Sequence, residues 1–385
     1  MKGVLRTSDA AHRRAPRSAP RARGGRTGTI VGGLDFRASA RPRWRHVLAG
    51  NAVHTFGNAA VLSVIGIDAP EVVPSSYFDE RLAETYDRLK MRPGMLEALA
   101  GIRERRWWPT DVRFVDAAAM AGAKALAESG IDPGRVGLLI DTSVCRSHLE
   151  PSAAVTVHRE LGLSSSCLNF DLANACLGFV NGMQLAATMI DAGQIDYALI
   201  VDGEGSRQTQ EATIERLSQP DSTSADVLNQ FATLTLGSGS AAVVMGRADA
   251  HPEGHRFVRS VSRAATQHNE LCVGDLTQMR TDSRALLTAG LECANDLWNE
   301  NDTDWQHMSM YVAHQVSTVH TKLMCEQLGI DPELLPVTFP TRGNIGPASV
   351  PFTLAMNQAK LAAGDTVLLM GIGSGINAMG AEIIW

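Results

Sequence analysis

The sequence predicts a mixed α/β fold with mostly parallel central strands, because short apolar runs with strand character alternate with longer segments of helical periodicity. Alternation of this kind along one chain is typical of βαβ units. The strand-like runs lie at residues 60–67, 137–142, 168–173, 196–202, 240–246, 256–262, 310–315, 335–339, 365–371 and 379–384. Apolar residues at helical spacing mark the segments 114–129, 176–192, 283–299, 317–328 and 350–362.

The chain also contains a short internal sequence repeat. The stretch LGSGSAAVVMG at 236–246 and the terminal GIGSGINAMGAEIIW at 371–385 each couple a Gly-Ser-Gly turn to an apolar strand. Each follows an earlier apolar strand, DYALIV in the first case and DTVLLM in the second. This repetition predicts two similar halves, residues 47–250 and 251–385, that together form one two-lobed unit.

Composition excludes several classes of protein. Apolar residues make up 44% of the 385 residues, which is enough for a large core, and no apolar run is long enough to span a membrane. The six cysteines show no CxxC or other metal-like spacing. We therefore expect neither a disulfide framework nor a metal site, and the cysteine pattern predicts a reducing, cytoplasmic location.

Charge is unevenly distributed along the chain. Residues 1–46 contain one lysine and eleven arginines against two aspartates, a net charge of +10, whereas the whole chain carries −6. Residues 47–385 therefore carry about −16, which argues against a nucleic-acid-binding body. The first 46 residues are rich in Arg, Pro, Gly and Ala and lack a signal-peptide core, so we predict a disordered extension. A tether to a polyanion or a membrane surface is the alternative.

Cys176 lies in the most informative segment of the sequence, NFDLANACLGFVNGMQLAATMI at 169–190. A strand-like run ends in small residues just before the cysteine, and a segment of helical spacing follows it. A thiol at the N-terminus of a helix meets unpaired N–H groups and the positive end of the dipole, which favour the thiolate and lower the thiol pKa. The segment alone is equally consistent with a buried structural cysteine.

Two further polar residues stand at the ends of predicted elements. His314 follows the apolar run MYVA, and Asn344 lies between glycines in TRGNIGPASVP. Side chains at such positions on a rigid scaffold often carry function. Taken singly, a histidine here can be structural and a glycine-flanked asparagine can be a turn residue.

Four segments resemble, in order, signature segments of the condensing enzymes of the thiolase superfamily, specifically the ketoacyl synthase III group. They are DLANACLGFVNGM, AHQVS, GNIGPASVP and the terminal GIGSGINAMGAEIIW, and the resemblance extends over residues 57–385. Within that group the segments CRSHLEPSAA, VDGEGS and LTLGSG are most similar to the OleA family, which joins two fatty acyl chains head to head. The resemblance implies a thiolase fold in which two duplicated βαβαβ-type halves form a layered α/β/α/β/α structure.

The resemblance also implies a role for each candidate residue. Cys176 is the nucleophile that carries the first acyl group, and His314 and Asn344 donate hydrogen bonds to oxyanions. The backbone N–H groups of Cys176 and Gly375 form a second oxyanion hole. Glu150, in HLEPS, aligns with the glutamate that OleA proteins contribute from the neighbouring subunit as the base for the α-proton. Without the resemblance, a glutamate before a proline reads as a solvated loop residue.

The activity implied is a non-decarboxylative Claisen condensation of two long-chain acyl-CoAs, the first step of long-chain olefin biosynthesis. It requires a homodimer and no cofactor, with olefin-pathway enzymes as downstream partners and no nucleic acid or transmembrane segment. The alternatives are a decarboxylating 3-oxoacyl-ACP synthase III that uses malonyl-ACP, a thioester hydrolase and a non-enzymatic scaffold.

The sequence departs from the synthase III pattern in the two segments that bind CoA in that group. The Trp and Arg usual before the GIRER motif are absent, and Ser317 and Val319 replace the usual Asn and Arg after the histidine. Arg103 and Arg105 remain candidates for contact with the CoA phosphates, whereas the alternative is that these arginines pack against the neighbouring tryptophans.

Overall fold

The computed structural model describes residues 50–275 and 277–385. The predicted basic extension, 1–46, lies outside the described residues. Among these residues, the fourteen strands are β1 Ala52–Thr55, β2 Ala59–Asp68, β3 Glu71–Pro74, β4 Glu104–Trp107, β5 Leu138–Asp141, β6 Leu168–Asp171, β7 Tyr197–Glu204, β8 Gly239–Arg247, β9 His255–Ala264, β10 Cys272–Gly274, β11 Met279–Thr281, β12 Met310–Ala313, β13 Thr366–Gly373 and β14 Asn377–Ile384.

Thirteen α-helices alternate with these strands over the same part of the chain. They are α1 Ser75–Arg81, α2 Ala83–Leu89, α3 Met95–Ala100, α4 Phe114–Ser129, α5 Ala153–Glu160, α6 Gly178–Asp191, α7 Arg207–Leu217, α8 Ser224–Asn229, α9 Phe231–Leu234, α10 Ser283–Asn299, α11 Thr318–Leu328, α12 Phe339–Arg342 and α13 Ser349–Asn357. In the described ranges, no helix is both long and apolar enough to cross a membrane.

A ten-stranded sheet forms the centre of the fold, in the order β12-β13-β14-β9-β2-β8-β7-β5-β6, with β1 added alongside β9. The same pattern occurs twice in it. β7 pairs parallel with β5 and antiparallel with β8, and β13 pairs parallel with β12 and antiparallel with β14. The two sets meet where β2 pairs with β9 through Ala60↔Arg256 and Val61↔His255. The internal sequence repeat therefore corresponds to a repeated strand pattern.

The sheet is mixed, so the prediction of mostly parallel central strands is wrong. Parallel pairing is confined to β5 with β6, β5 with β7, and β12 with β13. One antiparallel pair, β13 with β14, arises because the chain turns back directly after β13, through three turn residues, and returns as β14. A connection this short cannot join parallel strands, which need a crossover.

Apolar packing divides the fold into layers. Helices α6 and α13 lie in the largest buried cluster together with residues of both strand sets, so they form the middle layer. Helices α4 and α5 pack on the outer face of one strand set, and α10 and α11 on the outer face of the other. This is the layered α/β/α/β/α arrangement that the resemblance implied. The sheet runs through both predicted halves, and the boundary between 250 and 251 stays a prediction.

One predicted strand is absent. Residues 335–339 are not a strand, because a 3-10 turn at 332–334 precedes them and α12 begins at Phe339. Prolines at 336 and 340 cannot donate to a β-ladder. The backbone N–H of Thr338 instead donates to Oε1 of Gln315 at 2.8 Å, so a side-chain amide replaces the strand partner. The other nine strand-like runs and all five helical patterns correspond to observed elements.

Candidate active site

Cys176 lies on a tight turn between β6 and the central helix α6. Ala175 takes a left-handed backbone conformation, with φ of 44°, and the N–H of Leu177 donates to the carbonyl of Asn174 at 3.0 Å. Behind the turn, a Cβ on Gly178 would lie 3.1 Å from the carbonyl oxygen of Thr142, so a larger residue here would push the neighbouring backbone away by a few tenths of an ångström. The predicted strand-to-helix placement of the cysteine is confirmed.

The predicted lowering of the thiol pKa is wrong. Burial, with smaller contributions from Glu204, Cys272 and Asp202, raises the pKa of Cys176 to about 12. The sulfur is withdrawn from water and faces negative charge, which outweighs the benefit expected from the helix. At neutral pH the resting group is therefore a thiol, and its proton must leave during nucleophilic attack.

His314 directly follows β12, and its backbone N–H donates to the carbonyl of Met370 in β13 at 2.8 Å. Its Nδ1 is buried and, among the described residues, has no hydrogen-bond partner. Burial, with a smaller contribution from His320, lowers the pKa of His314 to about 4. The imidazole is therefore neutral near pH 7, with one nitrogen that donates and one that accepts.

Asn344 is fixed at both its backbone and its side chain. Its N–H donates to the carbonyl of Thr235 at 2.9 Å, and its carbonyl accepts from Gly237 at 2.8 Å. Its side-chain Oδ1 accepts the N–H of Gly346 at 3.0 Å. Since the acceptor end of the amide is occupied, the Nδ2 end has its donors available for an incoming oxyanion.

The Cys176 turn and the segment that carries His314 both contact the end of β13. A Cβ on Gly371 would lie 2.6 Å from the Leu177 side chain, and a Cβ on Gly373 would lie 2.8 Å from the carbonyl oxygen of Asn174. The Cys176 turn thus packs on the same strand whose Met370 holds His314.

Gly375 lies in the turn that follows β13. It has a φ of 88°, and a Cβ there would meet no atom within 4 Å. Asn377 connects this turn to the cysteine turn by donating to Oδ1 of Asn174 at 3.3 Å. A glycine that faces open space beside the nucleophile is suited to bringing its N–H close to a substrate carbonyl.

Glu150 lies apart from the other candidates. It is exposed on the loop between β5 and α5, and it makes no hydrogen bond or ion pair within the described chain. The neighbouring Leu149 is 97% exposed. Within the described chain, no hydrogen bond or ion pair therefore holds Glu150 at the cysteine.

Three buried carboxyl groups near the site were missed by the sequence analysis. Asp141 ends β5, and Asp202 and Glu204 lie in β7, whose residues are all buried. Burial raises the pKa of Asp141 to about 6 and raises the pKa of Asp202 and of Glu204 above their usual ranges. Two acidic residues in the otherwise apolar run YALIVDGE were the signal that could have revealed them, since unpaired charges are rarely buried.

The two candidate arginines differ sharply in environment. Arg105 is 0% exposed, stacks on Phe78, and donates to Ser75 Oγ at 3.1 Å and to the carbonyl of Leu234 at 2.9 Å. These contacts argue against the predicted contact of Arg105 with a CoA phosphate, because the guanidinium is enclosed by protein. Arg103 is exposed and remains a candidate.

Comparisons with known proteins agree with this geometry. Residues 170–265 match the family model for 3-oxoacyl-[acyl-carrier-protein] synthase III, and residues 298–385 match the model for its C-terminal part. The acyl-CoA:acyl-CoA alkyltransferase of Xanthomonas campestris pv. campestris is 44% identical over 336 residues, covering 86% of this chain and 99% of that protein. The enzyme of the same name from Shewanella oneidensis is 36% identical over 335 residues, covering 82% and 96%.

Solved structures of OleA are also similar to this chain. A crystal structure of a histidine-to-alanine variant of Xanthomonas campestris OleA has a TM-score of 0.84 at 43% identity, covering 86% of this chain and 99% of that chain. A cysteine-to-serine variant with bound lauric acid and lauroyl-CoA also has a TM-score of 0.84 at 43% identity, covering 86% and 100%. A β-ketoacyl-[acyl-carrier-protein] synthase III from Sodalis glossinidius is 28% identical over 292 residues, covering 71% of this chain and 85% of that protein.

The layered fold and the cysteine turn ahead of the central helix define a condensing enzyme of the thiolase superfamily. The chain belongs to the OleA family of acyl-CoA:acyl-CoA alkyltransferases.

Proposed function

We propose that this protein joins two long-chain fatty acyl-CoAs by a non-decarboxylative Claisen condensation through an acyl-Cys176 intermediate. The observation that carries the proposal is the placement of the Cys176 turn and His314 at the end of β13, on a fold shared with OleA over 86% of the chain. The Xanthomonas campestris OleA variant whose structure holds lauroyl-CoA supports a long-chain acyl-CoA as the substrate class proposed for this protein.

In the first half-reaction, the Cys176 sulfur attacks the carbonyl carbon of one acyl-CoA. The new C–S bond replaces the bond to CoA, and the thiol proton ends on the departing CoA sulfur. Because burial raises the pKa of Cys176 to about 12, this proton must move as the sulfur attacks. His314 is neutral near pH 7, so its imidazole can accept the proton and pass it on.

In the second half-reaction, a carboxylate must remove an α-proton from the second acyl-CoA, since no CO₂ is lost to generate the carbanion. We assign this role to Glu150 of the partner subunit, because in its own chain Glu150 is exposed on a projecting loop. Hydrogen bonds from His314 and the free Nδ2 of Asn344 would stabilise the enolate oxygen.

The enolate carbon then attacks the acyl carbonyl on Cys176. The N–H groups of Cys176 and Gly375 would hold the oxyanion while the bond to the sulfur breaks. The cysteine regains a proton, and the product is a β-ketoacyl-CoA that carries the second alkyl chain at its α-carbon.

The wider setting is proposed on the same grounds. We place the reaction at the start of long-chain olefin biosynthesis in the cytoplasm, in a homodimer whose product passes to olefin-pathway enzymes. Arg103 is the remaining candidate for a CoA phosphate contact, because its side chain is exposed next to β4. The two thiolase halves would meet near residue 250.

Incubation with a single long-chain acyl-CoA, without any malonyl donor, tests the proposal. We expect a coupled β-keto product, or the ketone formed when it loses CO₂, and none from Cys176→Ala. Dependence on malonyl-ACP would favour the decarboxylating synthase III instead. Free fatty acid without coupled product would indicate a hydrolase.

A further inference from the structure

The loop that carries Glu150 is fixed at both ends by carboxylates of the neighbouring strands. We call residues 144–152, between β5 and α5, the β5–α5 loop. In the sheet, β5 lies between β7 and β6. The last residue of β7 is Glu204 and the last residue of β6 is Asp171, so each carboxylate stands beside the point where the loop leaves or rejoins the fold.

Glu204 holds the start of the loop. Its Oε1 accepts the N–H of Val144 at 2.6 Å, and hydrogen bonding from Cys145 lowers the pKa of the same carboxyl against the effect of burial. The Cys145 sulfur in turn lies 3.3 Å from the carbonyl oxygen of Gly205 and 3.5 Å from its nitrogen. Glu204 is only 6% exposed, so these bonds are protected from water.

Asp171 holds the other end. Its two oxygens accept the N–H groups of Ala153 and Ala154, each at 2.9 Å, at the first turn of α5. Arg146, on the first part of the loop, has its Nε 3.5 Å from the same carboxylate. Asp171 therefore ties together both arms of the loop.

The tip of the loop is not packed against the rest of the described chain. Residues 147–151 are all exposed, and Leu149 is 97% exposed, although a leucine gains free energy when it is buried. A loop with fixed ends and an exposed leucine beside Glu150 is suited to contact a second subunit through its tip.

We propose that Glu204 and Asp171 are positioning residues that fix the two ends of the β5–α5 loop and thereby set the rate of condensation in the partner subunit's site. This inference rests on the proposed role of Glu150 as a base supplied across the dimer. Neither carboxylate touches the reactants in this account. Their effect is transmitted through the position of Glu150, and a displacement of about 1 Å can cost on the order of 100-fold in rate.

Mixed dimers in which only one active site has an intact Cys176, here called the live site, test this directly. One subunit carries Cys176→Ala and lends its β5–α5 loop to the site of the other subunit, which has an intact cysteine. Glu204→Gln is isosteric, but it cannot accept from both Val144 and Cys145, since one carboxylate oxygen becomes an NH₂ group. Asp171→Asn is the second variant, at the other end of the loop.

With either variant placed in the Cys176→Ala subunit, we expect condensation at the live site to fall about 10- to 100-fold. Acylation of the intact Cys176 should be unchanged. With Asp171→Asn placed in the subunit that has the intact cysteine, condensation should stay within about twofold of the parent mixed dimer; Glu204→Gln is used only in the Cys176→Ala subunit, because in the other subunit its charge acts on Cys176. The matched control is Asp202→Asn in the Cys176→Ala subunit, since Asp202 lies buried on the same strand but bonds to Thr142 Oγ1. We expect it to leave condensation at the live site unchanged.

Equal losses for Asp171→Asn in both placements, or no loss with either variant in the Cys176→Ala subunit, would overturn the inference. An inactive mixed dimer of Cys176→Ala with Glu150→Ala would instead refute the Glu150 assignment, and the inference with it. The two failures are therefore distinguishable.

Discussion

The backbone N–H of Gly346 donates to Oδ1 of Asn344 at 3.0 Å and so determines which end of that amide faces the site. An amide has one acceptor end and one donor end, and here the acceptor end is taken by the protein itself. Gly346 has a φ of 56°, a left-handed conformation that suits glycine. A hydrogen-bond donor for an oxyanion is thus oriented before substrate arrives, which is the condition for electrostatic stabilisation of a transition state.

Asn344→Asp tests this orientation. The aspartate keeps an oxygen for the Gly346 N–H, but it cannot donate and adds negative charge where the enolate oxygen would lie. We expect the rate of condensation to fall by about 10²–10³-fold, the usual effect of losing one oxyanion donor. Turnover of a long-chain acyl-CoA measures this, with the melting temperature as a control for folding. Turnover within twofold of wild type would exclude Asn344 as a donor.

The pH dependence of Cys176 alkylation tests the state of the thiol. Its pKa is raised to about 12, so at pH 7 the thiolate fraction is small and should grow about tenfold per pH unit up to pH 10. The rate of Cys176 modification by iodoacetamide, followed by peptide mass spectrometry, should rise without a plateau over that range. A plateau below pH 8 would instead show a thiolate stabilised by the helix.

Cys176→Ala should abolish the covalent acyl-enzyme, since no other group on this turn is a nucleophile. Mass spectrometry after exposure of the wild type to a long-chain acyl-CoA should show one acyl adduct, located on Cys176. Cys145 and Cys272 are internal controls, because both are only partly buried. An adduct of equal yield on either of them, or on the variant, would displace Cys176 from its role.

Much of the fold was predictable from local patterns, whereas strand direction was not. Apolar periodicity located α6 and the strand before it, and the duplicated Gly-Ser-Gly turns predicted the repeat. The run at 335–339 looked like a strand because Leu335, Val337 and Phe339 alternate with other residues. Its partner is the side chain of Gln315, and no local pattern could show that distant residue.

The site was predicted unevenly for a similar reason. Cys176, His314 and Asn344 stand at element ends with distinctive neighbours, so their positions were visible in the sequence. The thiol pKa was predicted in the wrong direction because it depends on burial and on Glu204 and Asp202, which approach only through the fold. The role of Asp171 at the β5–α5 loop was equally hidden, since its partners at 153 and 154 are joined to it only by the fold.

Glu150→Ala should separate the two half-reactions. Acylation of Cys176 needs no α-proton removal, so acyl labelling of the cysteine should persist at the wild-type level. Condensation needs the base, and its rate should fall by about 10²–10⁴-fold, the usual contribution of general base catalysis. Quantifying the acyl adduct and the coupled product in the same samples gives both rates. If labelling falls together with condensation, Glu150 is not specific to the second step.

The central claim is that each condensation site takes its cysteine from one subunit and its glutamate from the other. A mixed dimer of one Cys176→Ala subunit and one Glu150→Ala subunit, purified through two different tags, tests it most directly. One site then keeps an intact cysteine facing an intact glutamate, while the other has lost both, as isologous symmetry requires. We predict condensation at about half the wild-type rate, although each parent homodimer is nearly inactive. A mixed dimer as inactive as its parents would contradict the claim.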